Sequence, residues 1–219
     1  MRFQDLQSPD RVGEITHRSE FSSSLPSCLD MPIKFPKGDI RLPYTNKAVS
    51  EFVARCIEYE KSINPDLGNY YCYLTIDQRT VKAGSTHRNP GAHFDGMQGV
   101  EYLDKLPADH SYIVCDFNPT HFYNQNFDPR NLDMKWDNWF KELSKQIDDR
   151  KLFIPNPFEI YLMSAYQMHT SPVIPEIHQR TLMRMEFSLK KFNRVGNTIN
   201  PLLKTEWKYI PRPIPKHLV

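Results

Sequence analysis

The segment HRNPGAHFDGMQG places His93 and Asp95 two residues apart. In an extended chain, residues i and i+2 leave the backbone on the same side. An imidazole and a carboxylate are thus presented together, with Phe94 turned the other way. Gly91, Gly96 and Gly99 let the backbone turn sharply around the pair. A second feature is His169 in SAYQMHTSP, after an apolar run and before a loop interrupted by Pro172 and Pro175. A third is the stretch that starts at Arg180. One parity of it carries Thr181, Met183, Met185, Phe187 and Leu189, and the other carries Arg180, Leu182, Arg184, Glu186 and Ser188. On a half-exposed sheet the methionine face is core and both arginines face water. In a closed barrel the arginine face lines a polar cavity. Taken singly, each feature has an ordinary reading: a surface pair, a loop histidine, a salt-bridged sheet face.

Order and spacing change the weighing. His93-x-Asp95 is followed by His169 after 74 residues and by Arg180 after 11 more, each in or beside an expected strand. This constellation resembles the iron(II)/2-oxoglutarate-dependent oxygenase family, whose signature is H-x-D/E, a distal His and an Arg or Lys shortly beyond. The likeness is one of spacing and covers residues 70–190. It implies a double-stranded β-helix, a mainly β jelly-roll barrel with flanking helices. It also implies that His93, Asp95 and His169 hold one iron(II), two imidazoles and a carboxylate on one face leaving the remaining positions open. Arg180 then anchors the distal carboxylate of 2-oxoglutarate with its planar fork. Arg184 either helps with a carboxylate, as in alkylation-repair dioxygenases, or pairs with Glu186. The implied reaction is oxidative decarboxylation of 2-oxoglutarate to succinate coupled to hydroxylation of a C–H bond in a small molecule, a nucleotide or nucleobase, or an amino acid.

The sequence departs from that pattern at Leu182, where several such families carry a small residue. His178 as distal ligand leaves Arg180 only two residues away, and His87 lacks a carboxylate at i+2. The stretch CDFNPTHFYNQNFD suits either a substrate wall or a wet turn. Two other classes remain in view. One is a metal-binding β-barrel of isomerase or lyase type without 2-oxoglutarate, although the usual cupin spacing of two close histidines and a downstream Glu is not found. The other is a non-catalytic binding module that uses a basic tail.

The elements that must position these residues are mostly readable. Val49, Phe52, Val53, Cys56 and Ile57 form one apolar stripe, so a helix is expected over 46–63, capped by Thr45 or Asn46 and stopped at Asn64-Pro65. Strands are expected at 70–76, at 110–117, at 121–127, at 158–165 and at 180–192, with Val81–Lys82 continuing the first strand after a turn at Asp77–Arg79. Trp136, Trp139, Phe140, Leu143 and Ile147 recur at helical spacing and predict a second helix over 134–148. Residues 1–45 read as an irregular arm with one short strand, 46–195 as the barrel domain, and 196–219 as a basic, Pro-rich tail in which Trp207 and Tyr209 pack on the domain.

Composition closes off other classes. The chain has 219 residues, long for one domain and short for two. Its 39% hydrophobic and 25% charged content excludes collagen-like and highly charged disordered chains. No apolar run approaches the roughly 20 residues that cross a bilayer, so no membrane partner is expected. Residues 190–219 hold seven Lys/Arg against one acid, while the other 189 residues hold 21 against 25. The slightly acidic remainder argues against nucleic acid as partner, because a duplex-binding face is broadly basic. Cys28, Cys56, Cys72 and Cys115 form no C-x-x-C and are expected as free thiols in a reducing cytoplasm.

Overall fold

The computed structural model describes residues 9–95, 109–128, 132 and 138–211. Two antiparallel sheets face each other. The larger has six strands in the order β1-β7-β4-β9-β3-β2: β1 (Asp10–Glu14), β2 (Cys28–Lys34), β3 (Tyr71–Val81), β4 (His110–Cys115), β7 (Glu159–Ser164) and β9 (His178–Ser188). The smaller has the order β6-β5-β8, from β5 (His121–Tyr123), β6 (Leu152–Phe153) and β8 (His169–Thr170). Isolated bridges Thr86↔Val173 and His93↔His169 lay residues 86–93 alongside β8 and its continuation. From β3 onward the chain visits the large sheet, the small, the large, the small twice, the large, the small and the large. That shuttling is a double-stranded β-helix, a jelly-roll arrangement.

Alternation along the strands builds the two sides of the large sheet. Outward residues Leu74, Ile76, Tyr112, Val114, Ile160, Leu162, Met183, Met185 and Phe187 join one core with helix α2 (Lys47–Ile63). Inward residues Ile113, Cys115, Tyr161, Met163 and Leu182 meet Phe122 from the small sheet. The sequence expectation for β9 is thereby decided: the methionine face packs under a helix and the arginine face points into the barrel.

Helix α2 begins where the Asn46 side chain accepts from the Val49 N–H at 3.1 Å and ends at Asn64, ahead of Pro65. Its stripe of Val49, Phe52, Val53 and Cys56 is buried. Glu60 lies on the same face, fully buried, and accepts from His110 Nδ1 at 3.0 Å, Tyr112 OH at 2.7 Å and Asn64 Nδ2 at 2.6 Å. Burial pushes the Glu60 carboxyl upward, but these hydrogen bonds outweigh it and hold it below the usual carboxylate range. A buried charge is tolerated there because both carboxylate oxygens find donors.

Several boundaries differ from the sequence expectations. β3 runs straight through Asp77–Arg79, where a turn was expected, because it pairs with β9 without interruption from Tyr71↔Ser188 to Val81↔His178. β5 stops at Tyr123 rather than at 127. The second helix is only α3 (Trp139–Ser144) among the described residues; 134–137 lie outside them. Residues 1–45, expected as an irregular arm with one short strand, supply β1 and β2 at the two edges of the large sheet, together with the short helix α1 (Arg18–Phe21). Pro32 is accommodated because β2 is an edge strand. Residues 198–200 then cover that edge: Thr198 N–H donates to Leu29 O at 2.8 Å, and buried Asn200 donates to Pro32 O at 2.9 Å and to Arg41 O at 2.7 Å. Covering an edge this way blocks pairing with another chain. Trp207 packs on Phe35 and Tyr71, with ring centroids 5.3 and 5.9 Å away, and Lys191 Nζ lies 4.9 Å from its ring centre. All four cysteines are buried free thiols.

Two outcomes follow. Deleting 211–219 leaves the melting temperature within about 2 °C, whereas Asn200→Ala, which strips the Pro32 and Arg41 carbonyls of their donor, costs about 1–3 kcal/mol in urea unfolding. The second concerns acid. Burial pushes Glu51 upward, but hydrogen bonds from His17, Arg55 and Thr16 outweigh this and hold it at about 2. An unfolded carboxyl titrates near pH 4.3, so the unfolded chain takes up the proton first as pH falls. The stabilisation by Glu51 is complete above roughly pH 4.5 and is lost as pH drops towards about 2. The stability gap between wild type and Glu51→Gln therefore closes across that window.

Candidate metal centre

The smaller sheet brings the two histidines together through its backbone. His93 N–H donates to His169 O at 2.9 Å and His169 N–H donates to His93 O at 2.8 Å. Residues paired this way on adjacent strands project their side chains from the same face, and the ring centroids are 4.5 Å apart. Asp95, two residues beyond His93, joins them. One potential ligand atom from each of His93, Asp95 and His169 lies within 4.8 Å of the other two.

Each imidazole is held by a carbonyl two residues earlier. His93 Nδ1 is 3.0 Å from Gly91 O, and His169 Nδ1 is 2.9 Å from Gln167 O. A carbonyl only accepts, so Nδ1 carries a hydrogen in both rings, and Nε2 is the ring nitrogen left for a metal. Burial holds His169 down at about 4, so this imidazole is neutral at physiological pH. Burial pushes Asp95 upward, but His169 and Arg184 outweigh it and keep the carboxyl ionised. Two imidazoles oriented through Nδ1 and one carboxylate form a donor set suited to a divalent metal.

Arg184 borders the group. Its Nη1 is 3.3 Å from Asp95 Oδ2, and its Nη2 is 2.9 Å from Asp30 Oδ1 and 3.5 Å from Glu186 Oε2. The Glu186 pairing is one of the two sequence alternatives for Arg184; the contact with Asp95 is not among them. Burial pushes Glu186 up to about 8 against the pull of Arg184, so it holds a proton at neutral pH. A cavity opens beside His93, Asp95 and His169. Arg88, Arg184, Thr75, Thr120 and Ser171 supply its polar walls, and Ile113, Met163 and Leu182 its apolar ones.

Arg180 is fully buried on the same strand face, as expected, but it does not line this cavity. Its Nε donates to Phe117 O at 2.8 Å, Nη1 meets His87 Nδ1 at 2.8 Å, and Nη2 reaches Cys115 Sγ and Asn118 O, each at 3.1 Å. All four partners are neutral. Cys115 hydrogen-bonds both Arg180 and Thr120, so the guanidinium stands one side chain away from the cavity. His87 does not join His93: it is buried between Arg180 and Asp77, with Nε2 3.2 Å from Asp77 Oδ1. His178 stacks on Phe117 at 3.9 Å between centroids. Of the stretch CDFNPTHFYNQNFD, Thr120 reaches the cavity.

Sequence reasoning missed Asp30, Thr75, Arg88 and Ser171. Ser171 was findable, because it follows His169 at i+2 and shares its face. Thr75 and Arg88 reach the cavity, and Asp30 reaches Arg184, through strand pairing and bends that no local pattern announces.

No family model matches the chain, and no curated protein sequence does. Among solved structures, AviO1 from Streptomyces viridochromogenes Tue57 aligns at a TM-score of 0.49 and 7% identity, covering 85% of this chain and 91% of that one. The apo form of ThoJ, a non-heme monooxygenase, aligns at 0.46 and 11% identity over 98% of this chain and 87% of its own. EvdO2 from Micromonospora carbonacea var. aurantiaca, complexed with 2-oxoglutarate, aligns at 0.40 and 11% identity over 65% and 64%. These are partial likenesses of chain path.

Removing the charge on Arg184 tests the electrostatics. Arg184→Met leaves Asp30, Asp95 and Glu186 facing one another and lowers stability at pH 7 by about 3–5 kcal/mol in urea. Without the cation the folded-state carboxyls bind protons more tightly than the unfolded ones. The variant therefore regains stability as pH falls from 7 to 5 more steeply than wild type, in which Glu186 already binds its proton more tightly than in the unfolded chain.

Proposed function

We propose that the protein is an iron(II)- and 2-oxoglutarate-dependent dioxygenase that hydroxylates a C–H bond of a small molecule. The observation that carries this reading is the pair of facing histidines, each with Nδ1 tied to a carbonyl and Nε2 free beside Asp95. In this reading His93, Asp95 and His169 hold the iron. When bound, iron(II) with 2-oxoglutarate and dioxygen supplies the oxidation, and 2-oxoglutarate leaves as succinate and carbon dioxide.

Charge bookkeeping in the barrel supports a dicarboxylate co-substrate. Among the described residues no carboxylate lies within ion-pair distance of Arg180, although the guanidinium is fully buried. A buried cation with only neutral acceptors favours an anion. Arg180 is therefore assigned the distal carboxylate, reached past Thr120 and Cys115. The protein's own steps are to orient the dicarboxylate at Arg180, to hold the Asp95 carboxylate through Arg184, and to present the substrate against Ile113, Met163 and Leu182.

A second reading is a metal-dependent barrel protein without 2-oxoglutarate. The one observation in its favour is that four neutral acceptors already occupy Arg180. One series of titrations separates the two. Under anaerobic conditions wild type takes up one equivalent of iron(II), and 2-oxoglutarate then binds to the loaded protein. On admitting oxygen with a metabolite panel, succinate forms. His93→Ala and His169→Ala lose the metal by elemental analysis. Arg180→Met keeps the metal and weakens 2-oxoglutarate by about 2–5 kcal/mol, the cost of breaking a buried charge pair. Metal uptake without any 2-oxoglutarate binding decides for the second reading.

A further inference from the structure

Asp30 sits on β2, outside the strands that carry the metal-centre residues, yet its side chain is buried and reaches Arg184 Nη2 at 2.9 Å. Its backbone is in the left-handed region at φ 43°, inside a register shift of the β2–β3 pairing between Cys28 and Met31. A side chain other than glycine costs energy in that conformation, about 1 kcal/mol or more. An interrupted register of this kind re-aims a side chain that regular pairing would point elsewhere. Thr75 locks the result: the Asp30 N–H donates to Thr75 Oγ1 at 3.0 Å, and that hydroxyl donates to Asp30 Oδ1 at 3.1 Å. A purely structural edge strand has no need of this strained aspartate, because glycine would adopt the same φ without strain.

The chain of contacts leads to the metal centre. Asp30 holds Arg184, and Arg184 Nη1 holds Asp95 Oδ2 at 3.3 Å, leaving the other Asp95 oxygen for a metal. Were Asp30 absent, Arg184 would have one fewer carboxylate to share its charge with and would pull harder on Asp95. We propose that Asp30 is a positioning residue for the metal centre, setting the orientation of the Asp95 carboxylate through Arg184. The inference rests on the metal-binding part of the reading above. Groups behind the ligands of a metal tune its affinity by roughly 10–100-fold.

The test uses Mn(II) affinity, followed by electron paramagnetic resonance, and the visible spectrum of the Co(II)-loaded protein. Asp30→Asn keeps the shape and removes the charge. Asp30→Gly removes the side chain and relieves the backbone, so its folding is protected. Both variants are expected to bind Mn(II) about 10-fold or more weakly, with altered Co(II) band positions and the circular dichroism of wild type. Wild-type affinity and spectrum in both variants overturn the inference while the metal reading stands. An Asp30→Gly protein that is unfolded makes Asp30 a structural residue and overturns it as well. Failure of wild type itself to bind either metal removes the metal reading, and the inference with it.

Discussion

Two backbone hydrogen bonds, exchanged between His93 and His169, carry the geometry on which the site depends. They fix the register of residues 86–93 against β8, and a slip of one residue there would turn one imidazole to the opposite face. They also place Gly91 and Gln167, each two residues upstream, where their carbonyls orient the rings. One register therefore sets facing, tautomer and distance together. Asp95 follows by the i+2 rule, and Arg184 Nη1 at 3.3 Å holds its carboxylate.

Around that pairing the barrel sorts charge along a single strand. The inward face of β9 reads Arg180, Leu182, Arg184, Glu186, and its two guanidiniums meet opposite surroundings. Arg184 faces Asp30, Asp95 and a protonated Glu186, an acid excess that a divalent cation would balance. Arg180 faces two carbonyls, an imidazole and a thiol, a cationic excess that an anion would balance. Leu182 separates the two ends and lines the cavity between them. Its size narrows the space at the position where related spacing patterns carry a small residue.

Where a pattern is local, the sequence announces it. The α2 stripe, the β9 alternation and the His93–Asp95 spacing each depend on a short run of residues, and the structure realises each of them, α2 within a residue of the expected ends and β9 as His178–Ser188 rather than 180–192. Where a feature depends on distant pairing, no run of residues shows it. β1 has little apolar alternation; it exists because β7 offers an open edge, with Arg11 paired to Glu159 at 2.8 Å. β3 ignores its Asp77–Arg79 turn signal because eleven consecutive pairings with β9 outweigh local propensity. Asp30 is the extreme case: only tertiary packing turns a strained residue of an edge strand towards Arg184.

The two arginines cannot exchange tasks, and this ties the fold to the chemistry assigned to it. Arg184 is within reach of Asp95 because β9 runs between β3 and β4, which sets Arg184 opposite Thr75 on one side and Ile113 on the other. Arg180, four residues earlier on the same face, is displaced by about 13 Å along an extended strand. That displacement exceeds what side-chain flexibility closes while both guanidiniums keep their present partners. In the proposed reading a dicarboxylate that reaches Arg180 from the His93–Asp95–His169 group passes Leu182, whereas an anion touching only Arg184 competes with three carboxyl groups.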